Sequence, residues 1–401
     1  MKTVYLDNNA TTAVAPEVIE AMLPFLGERY GNPSSMHSFG GLVGREIDRA
    51  RETVARLLGA DPSEIVFTSC GTESDSTAIH SALEVNPGKR HIVTTRVEHP
   101  AVHTLCQWLG DHGYKITEVA VDKDGMLDLA EVENAIKGDT ALVSVMWANN
   151  ETGVVFPVER IAEMCRERGV LFHTDAVQAV GKIPIDMDRN AIDMLSLSGH
   201  KLHAPKGVGV LYVRKGTRYS PFLIGGHQEH GRRAGTENVA SVVALGRACE
   251  LAAAGMADEN TRVRALRDRL EAELLKRIPD ARLNGHKKSR LPNTTNISFE
   301  FVEGEAILLL LDQTGVCASS GSACTSGSLE PSHVLRAMGV PFTFAHGSVR
   351  LSLSRYNSDA DVDAVVAVLP KIIERLRAIS PFSRDRMPSA AMLKPDHSHK
   401  H

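Results

Sequence analysis

The sequence predicts an α/β protein, with a large domain built on a mostly parallel sheet and a smaller α/β domain. Three observations lead there. Strand-like and helix-like stretches alternate between residues 64 and 213. The strand-like stretches are nearly continuous apolar runs, the mark of a sheet covered on both faces. After about residue 255 the texture changes to long charged helices with further strands between helices.

Leu42, Val43, Ile47, Ala50, Val54, Leu57 and Leu58 recur at helical spacing. Glu64–Thr68 reads as the first strand, followed by a polar turn and a helix from about Thr72. His91–Thr95 is the next strand, and Pro100 opens the helix behind it, where a missing N–H is harmless. Ala141–Trp147, Val170–Asp175, Asp193–Ser198 and Gly207–Val213 read as four more strands. A charged helix then spans Asn260–Arg277, with strands near Asn296–Phe301 and Ser348–Leu353. The expected division is 15–255 for the large domain and 1–14 with 256–379 for the small one. A cysteine-bearing mobile loop is expected near 318–330, and a flexible tail over 380–401.

Composition excludes several classes. The chain has 401 residues, 43% hydrophobic and 23% charged, the balance of a globular protein. A net charge of −4 without a basic patch argues against nucleic acid as a partner. The N-terminus lacks an apolar secretory core, and no apolar run reads as a membrane span. The expectation is a soluble, cytoplasmic protein. The six cysteines are scattered without C-x-x-C spacing, which suggests neither a disulfide framework nor a zinc ribbon.

In open α/β sheets, ligands sit outside the carboxyl ends of the strands. The first strand ends in Ser69-Cys70-Gly71-Thr72-Glu73-Ser74, a small polar turn feeding a helix. Such a turn presents backbone N–H groups and suits a phosphate; it equally suits an ordinary helix cap. The fourth strand ends in His173-Thr174-Asp175-Ala176-Val177-Gln178. A carboxylate there needs a cation or strong donors, unless Asp175 merely caps a helix. The fifth ends in Ser198-Gly199-His200-Lys201. Lys201 is either a surface lysine or an amine able to form imines. Together these features describe a phosphate cup, a buried anion and an imine-forming lysine at one sheet edge. That combination suits pyridoxal 5'-phosphate.

The motifs TSCGTESDSTAI (68–79), VEHPAV (97–102), MWANNETG (146–153), FHTDAVQAVGK (172–182), SLSGHKLHAPKGVGVLY (196–212), GGHQEHGRRAGTEN (225–238) and SSGSACTSGSLEPSHVLRAMG (319–339) carry a family resemblance. The chain resembles the pyridoxal-phosphate-dependent cysteine desulfurases of NifS type from Tyr5 to about Tyr356. The resemblance implies the fold type I of pyridoxal-phosphate-dependent transferases, aspartate aminotransferase-like, with a seven-stranded sheet in the large domain. It implies a homodimer with shared active sites, L-cysteine as substrate, and an iron–sulfur scaffold, nitrogenase-related, as sulfur acceptor.

The resemblance also assigns roles. Lys201 holds the cofactor aldehyde, Asp175 pairs with the pyridine nitrogen, and Gln178 donates to the phenolic oxygen. Asn150 lies near that oxygen and the substrate. His99 stacks on the ring and moves protons. Gly71, Thr72, Ser198 and His200 hold the phosphate, and Thr236 reaches the phosphate of the neighbouring subunit. Arg350 grips the substrate carboxylate, with Arg355 as the nearby alternative. Arg232 and Arg233 either support the partner's phosphate site or form a solvated surface pair.

Cys324 sits in a run of Ser and Gly. Without the cofactor residues it is as easily a spare surface thiol. With them it reads as the nucleophile that takes sulfur from L-cysteine and carries it as a persulfide. His99 and His103 have the spacing of a metal pair, but no third ligand accompanies them, so no metal is expected. The rivals are an aminotransferase, a selenocysteine lyase, and a non-catalytic binding protein on the same fold.

Overall fold

The computed structural model describes residues 3–320 and 330–381. Cys324, most of the expected cysteine loop and nearly all of the expected tail lie outside the described residues.

The strands in chain order are β1 (Val4–Tyr5), β2 (Ile65–Thr68), β3 (His91–Thr95), β4 (Lys115–Val119), β5 (Thr140–Ser144) and β6 (Leu171–Asp175). They continue as β7 (Met194–Ser198), β8 (Gly209–Val213), β9 (Ala281–Leu283), β10 (Thr294–Phe299), β11 (Val316–Cys317) and β12 (Ser348–Ser352). Seven of them form one sheet in the order β2-β8-β7-β6-β5-β3-β4. Five run parallel, from β7 to β4, while β8 is antiparallel to both its neighbours. This is the fold type I sheet.

The apolar runs read from the sequence are the buried strands of this sheet. β2, β3, β5, β7 and β8 are buried at every residue. β4 escaped the reading because Lys115–Val119 is an edge strand whose first four residues are exposed or half-buried. With water on its flank it needs no apolar run.

One face of the sheet packs on the helix Gly71–Glu84 and the helix Pro100–Asp111, through Ala78, Ile79, Ala82, Val102 and Cys106. The opposite core takes in Ile47, Val54 and Leu58 of the helix Ser38–Leu58, and Leu245, Ala248 and Ala252 of the helix Val239–Asp258. A separate core joins Val4 and Leu6 to the helices Arg264–Arg277 and Asp359–Ile379 and to the sheet β12-β10-β9. The helical stretch Val239–Arg277 is long and apolar enough by composition to cross a membrane, with a mean hydropathy of 1.4 over its most apolar window. Its apolar residues are spent instead on these cores.

Two glycines are fixed by close approach of neighbouring segments. A Cβ on Gly71 would stand 2.9 Å from Val177 Cγ2, and one on Gly209 2.7 Å from the Cys70 carbonyl carbon. The turn after β2 is thereby pressed against the ends of β6 and β8.

Candidate active site

The carboxyl ends of β2, β6 and β7 open on a cavity of about 240 Å³. Gly71, Thr72, His99, Asn150, Asp175, Gln178, Ser198, His200 and Lys201 all line it, so most of the residues singled out from the sequence meet in one place. Thr236 and Arg350 do not line it. Arg350 reaches its rim by donating from Nη1 to the Asn150 carbonyl at 3.0 Å, and from Nη2 to Asp7 Oδ1 at 2.8 Å. Its Nε is buried without a partner among the described residues. Arg355 faces elsewhere, into a smaller cavity.

Lys201 ends the 3-10 turn Gly199–Lys201 that follows β7. Its amine donates to the carbonyls of Asn9 and Ala10, the latter at 2.8 Å. Burial, helped by the charges of Lys182 and Arg350, brings its pKa down to about 7, so a large fraction of the amine is neutral near pH 7. The Asn9 carbonyl also accepts from Gln178 Nε2 at 3.0 Å. Segment 7–10 is thus a wall of the site that the reading of strand ends did not reach, because it belongs to no strand of the large sheet.

Asp175 closes the buried end of the cavity and accepts from the Val177 N–H at 2.9 Å. Burial raises its pKa, as it raises that of Asp75 and pushes Glu98 up to about 8. Three carboxyls so close cannot all ionise. The Val177 N–H, and His99 and Lys201 when protonated, pull Asp175 back toward ionisation, whereas Asp75 and Glu98 have hydrogen bonds alone to favour their anions. The negative charge therefore resides best on Asp175. Asp75 also lines the cavity and was not singled out; one turn into the helix after Gly71, it resembles any polar helix residue.

His99 is the N-cap of the helix Pro100–Asp111, and its Nδ1 accepts from the Ala101 N–H at 3.2 Å. An accepting Nδ1 puts the proton of the neutral ring on Nε2. Burial lowers its pKa, favouring that neutral form. His200 is brought down to about 4 by burial and by Lys201, and its Nδ1 lies 3.1 Å from Thr11 Oγ1. Among the described residues no cluster of three metal-ligating side chains occurs; His103 instead faces Glu118 at 3.3 Å and stacks on His333.

Thr236 is exposed, at the end of a loop held by an unusual anchor. Glu229 and His230 both have positive φ, 49° and 59°. Glu229 is buried, accepts from Arg51 at 2.7 and 2.8 Å, and accepts from the Phe67 N–H at 2.9 Å. A Glu229→Ala variant leaves the Arg51 guanidinium buried and uncompensated. It is expected to be destabilised by about 3–5 kcal/mol. Chemical denaturation checks this, and a wild-type midpoint would mean that the pair does not anchor the loop. Arg232 and Arg233 are not a free surface pair. Arg233 clamps Glu73 at 2.8 and 3.1 Å, and Arg232 donates to the carbonyls of Ser63 and Ile65.

The residues present fit pyridoxal phosphate. Gln178 Oε1 and Asp75 Oδ1 are buried without hydrogen-bond partners among the described residues, at one cavity with a lysine whose pKa burial lowers and a helix N-terminus. The aminotransferase class-V pattern matches residues 4–365, and with this sheet and cavity it defines a pyridoxal-phosphate-dependent enzyme of fold type I.

More particular likenesses follow. A cysteine desulfurase from Trichormus variabilis is 61% identical over 386 residues, which is 96% of this chain and 97% of that one. The cysteine desulfurase NifS of Azotobacter vinelandii is 60% identical over 383 residues, 95% of each chain. A solved NifS-like protein superposes with a TM-score of 0.88 at 39% identity, covering 94% of this chain and all of the other. The chain belongs to the NifS-type cysteine desulfurases of the aminotransferase class-V family.

Proposed function

We propose that this enzyme converts L-cysteine to L-alanine, retains the released sulfur as a persulfide on Cys324, and hands it to an iron–sulfur scaffold serving nitrogenase. The observation that carries the site assignment is the meeting of Lys201, Asp175, Gln178 and the N-terminus of the helix Gly71–Glu84 in one cavity. Bound there, pyridoxal phosphate supplies an electron sink that lets the substrate Cα–H bond break heterolytically.

The chain's residues do the rest. Gly71, Thr72, Ser198 and His200 hold the phosphate, and Gln178 and Asn150 orient the opposite edge. The Asp175 carboxylate would pair with the ring nitrogen and favour its protonated form. Lys201 would hold the group's aldehyde and, as a free amine, would take the Cα proton at Nζ. Arg350 binds the substrate carboxylate; its unpartnered Nε supports this role over Arg355. His99, with its proton on Nε2, exchanges protons with the substrate thiol. The Cys324 thiolate attacks the substrate sulfur: an S–S bond forms, the C–S bond breaks with its electron pair left on carbon, and protons delivered to Cβ and back to Cα give alanine.

Two features support a homodimer. Thr236 lies outside its own chain's cavity, free to complete a partner's phosphate site. Leu23, Leu26, Tyr30, Met36 and Ile224 are large apolar side chains left exposed. The cysteines among the described residues are all free thiols, as suits the reducing cytoplasm.

The test is the intact mass of cofactor-loaded protein after brief exposure to L-cysteine without reductant. Wild type should gain one sulfur and release alanine, and Cys324→Ala should gain none. A colour change without sulfur gain in either protein would discard the desulfurase reading.

A further inference from the structure

Lys201 is also a wall of a second, smaller cavity, of about 30 Å³. Its other charged walls are Lys182, Glu259 and Arg355. Lys182 sits in a turn beyond β6, where a sequence reader expects a surface lysine, yet it is only 7% exposed. Its Nζ is buried with no hydrogen-bond partner among the described residues. The segment is pinned from outside, because Asn260 Nδ2 donates to the Lys182 carbonyl at 2.8 Å. Asn260 and Glu259 open the π-helical turn Glu259–Val263, which joins the helices Val239–Asp258 and Arg264–Arg277. Such turns are frequent at functional sites.

A buried ammonium without hydrogen bonds is unfavourable by itself. Packing alone would be better served by an apolar side chain of the same length. Glu259 is the nearby counter-charge, and its carboxyl, pushed up to about 7 by burial, is eased back by Lys182. Of the charged groups acting on Lys201, Lys182 weighs most, ahead of Arg350.

We propose that Lys182 is a positioning residue of the active site: its cationic amine, in the cavity it shares with Glu259, Arg355 and Lys201, disfavours a second positive charge on the Lys201 nitrogen. This rests on Lys201 carrying the cofactor as proposed above. A second cation is a known way to make a lysine nucleophilic. Lys201 is faced as well by Arg350, which acts in the same sense, and by Asp175 and Asp7, which oppose it. His99 and His200 also feel its charge, and burial lowers the pKa of both. Lys182 is faced by Glu259 and, beside it in the cavity, by Arg355 and His203.

The test compares wild-type holoenzyme with Lys182→Met, Lys182→Gln and Lys182→Arg. Each is titrated with alkali while the visible absorbance of the bound cofactor is followed. The Met and Gln variants should raise the midpoint by about one pH unit. The Arg variant, permanently charged, should leave it at or below the wild-type value. A lysine that only packs would change stability or cofactor affinity without moving the midpoint, and an unmoved midpoint in Met and Gln overturns the proposal. The same proteins stripped of cofactor give a second readout, the pH dependence of Lys201 acylation by acetic anhydride, measured by peptide mass. It should shift in the same direction, and an unshifted profile also overturns the proposal. If even wild type takes up no colour, the cofactor reading fails, and acylation still decides the role of Lys182.

Discussion

Lys201→Ala is expected to lose roughly 10⁴-fold in the rate of alanine formation. The residue holds two tasks at one atom. On the proposed assignment its Nζ would anchor the cofactor aldehyde and then serve as the base at the substrate Cα. Among the described residues no other amine lines the cavity: Lys182, the cation that weighs most on Lys201, opens on the smaller one. The phosphate-holding turn is untouched, so the variant should still take up cofactor, though without the covalent link. Borohydride reduction followed by peptide mapping should then label wild type at Lys201 and leave the variant unlabelled. Added small alkylamines should restore part of the rate. A variant within tenfold of wild type would remove Lys201 from the chemistry.

Asp175→Asn should lower the rate by roughly 10²–10³-fold, the scale of removing one preorganised charge from a water-excluded site. Asn keeps the volume and can still accept the Val177 N–H. What it loses is the anion opposite the ring nitrogen. In wild type that anion exists against a cost, since burial raises the Asp175 pKa and His99 and Lys201 offset part of the rise. The protonated ring nitrogen adds the missing counter-charge, so cofactor and carboxylate each favour the other's charged form. The variant should therefore bind cofactor more weakly and show an altered absorbance with pH. Wild-type turnover in Asp175→Asn would mean that the charge sits on Asp75 or Glu98 instead.

The elements legible in the sequence were those whose burial is complete. β2 and β8 are apolar at nearly every position because both faces of the sheet are covered there. The strand ends were legible too, since a polar residue directly after such a run has few ordinary reasons to be there. That logic picked out Asp175 and Lys201 before any resemblance was invoked. It missed Asp75, which lies inside a helix, and segment 7–10, which reaches the site from the far end of the chain.

By itself the sequence determined the alternation of elements, the residue types at the sheet edge and the kind of cofactor they suit, because hydrophobic periodicity and strand-end polarity are local properties. Only the tertiary structure decided that β8 runs antiparallel, that Lys115–Val119 closes the edge, and that Arg350 at the rim keeps an N–H without a partner among the described residues. The same holds for Lys182. Its neighbours in sequence mark it as one more polar residue of a turn, while its charge acts on Lys201 through a cavity closed by Glu259 and Arg355, from distant parts of the chain. Burial and electrostatic influence depend on distance in space, and sequence order does not encode that distance.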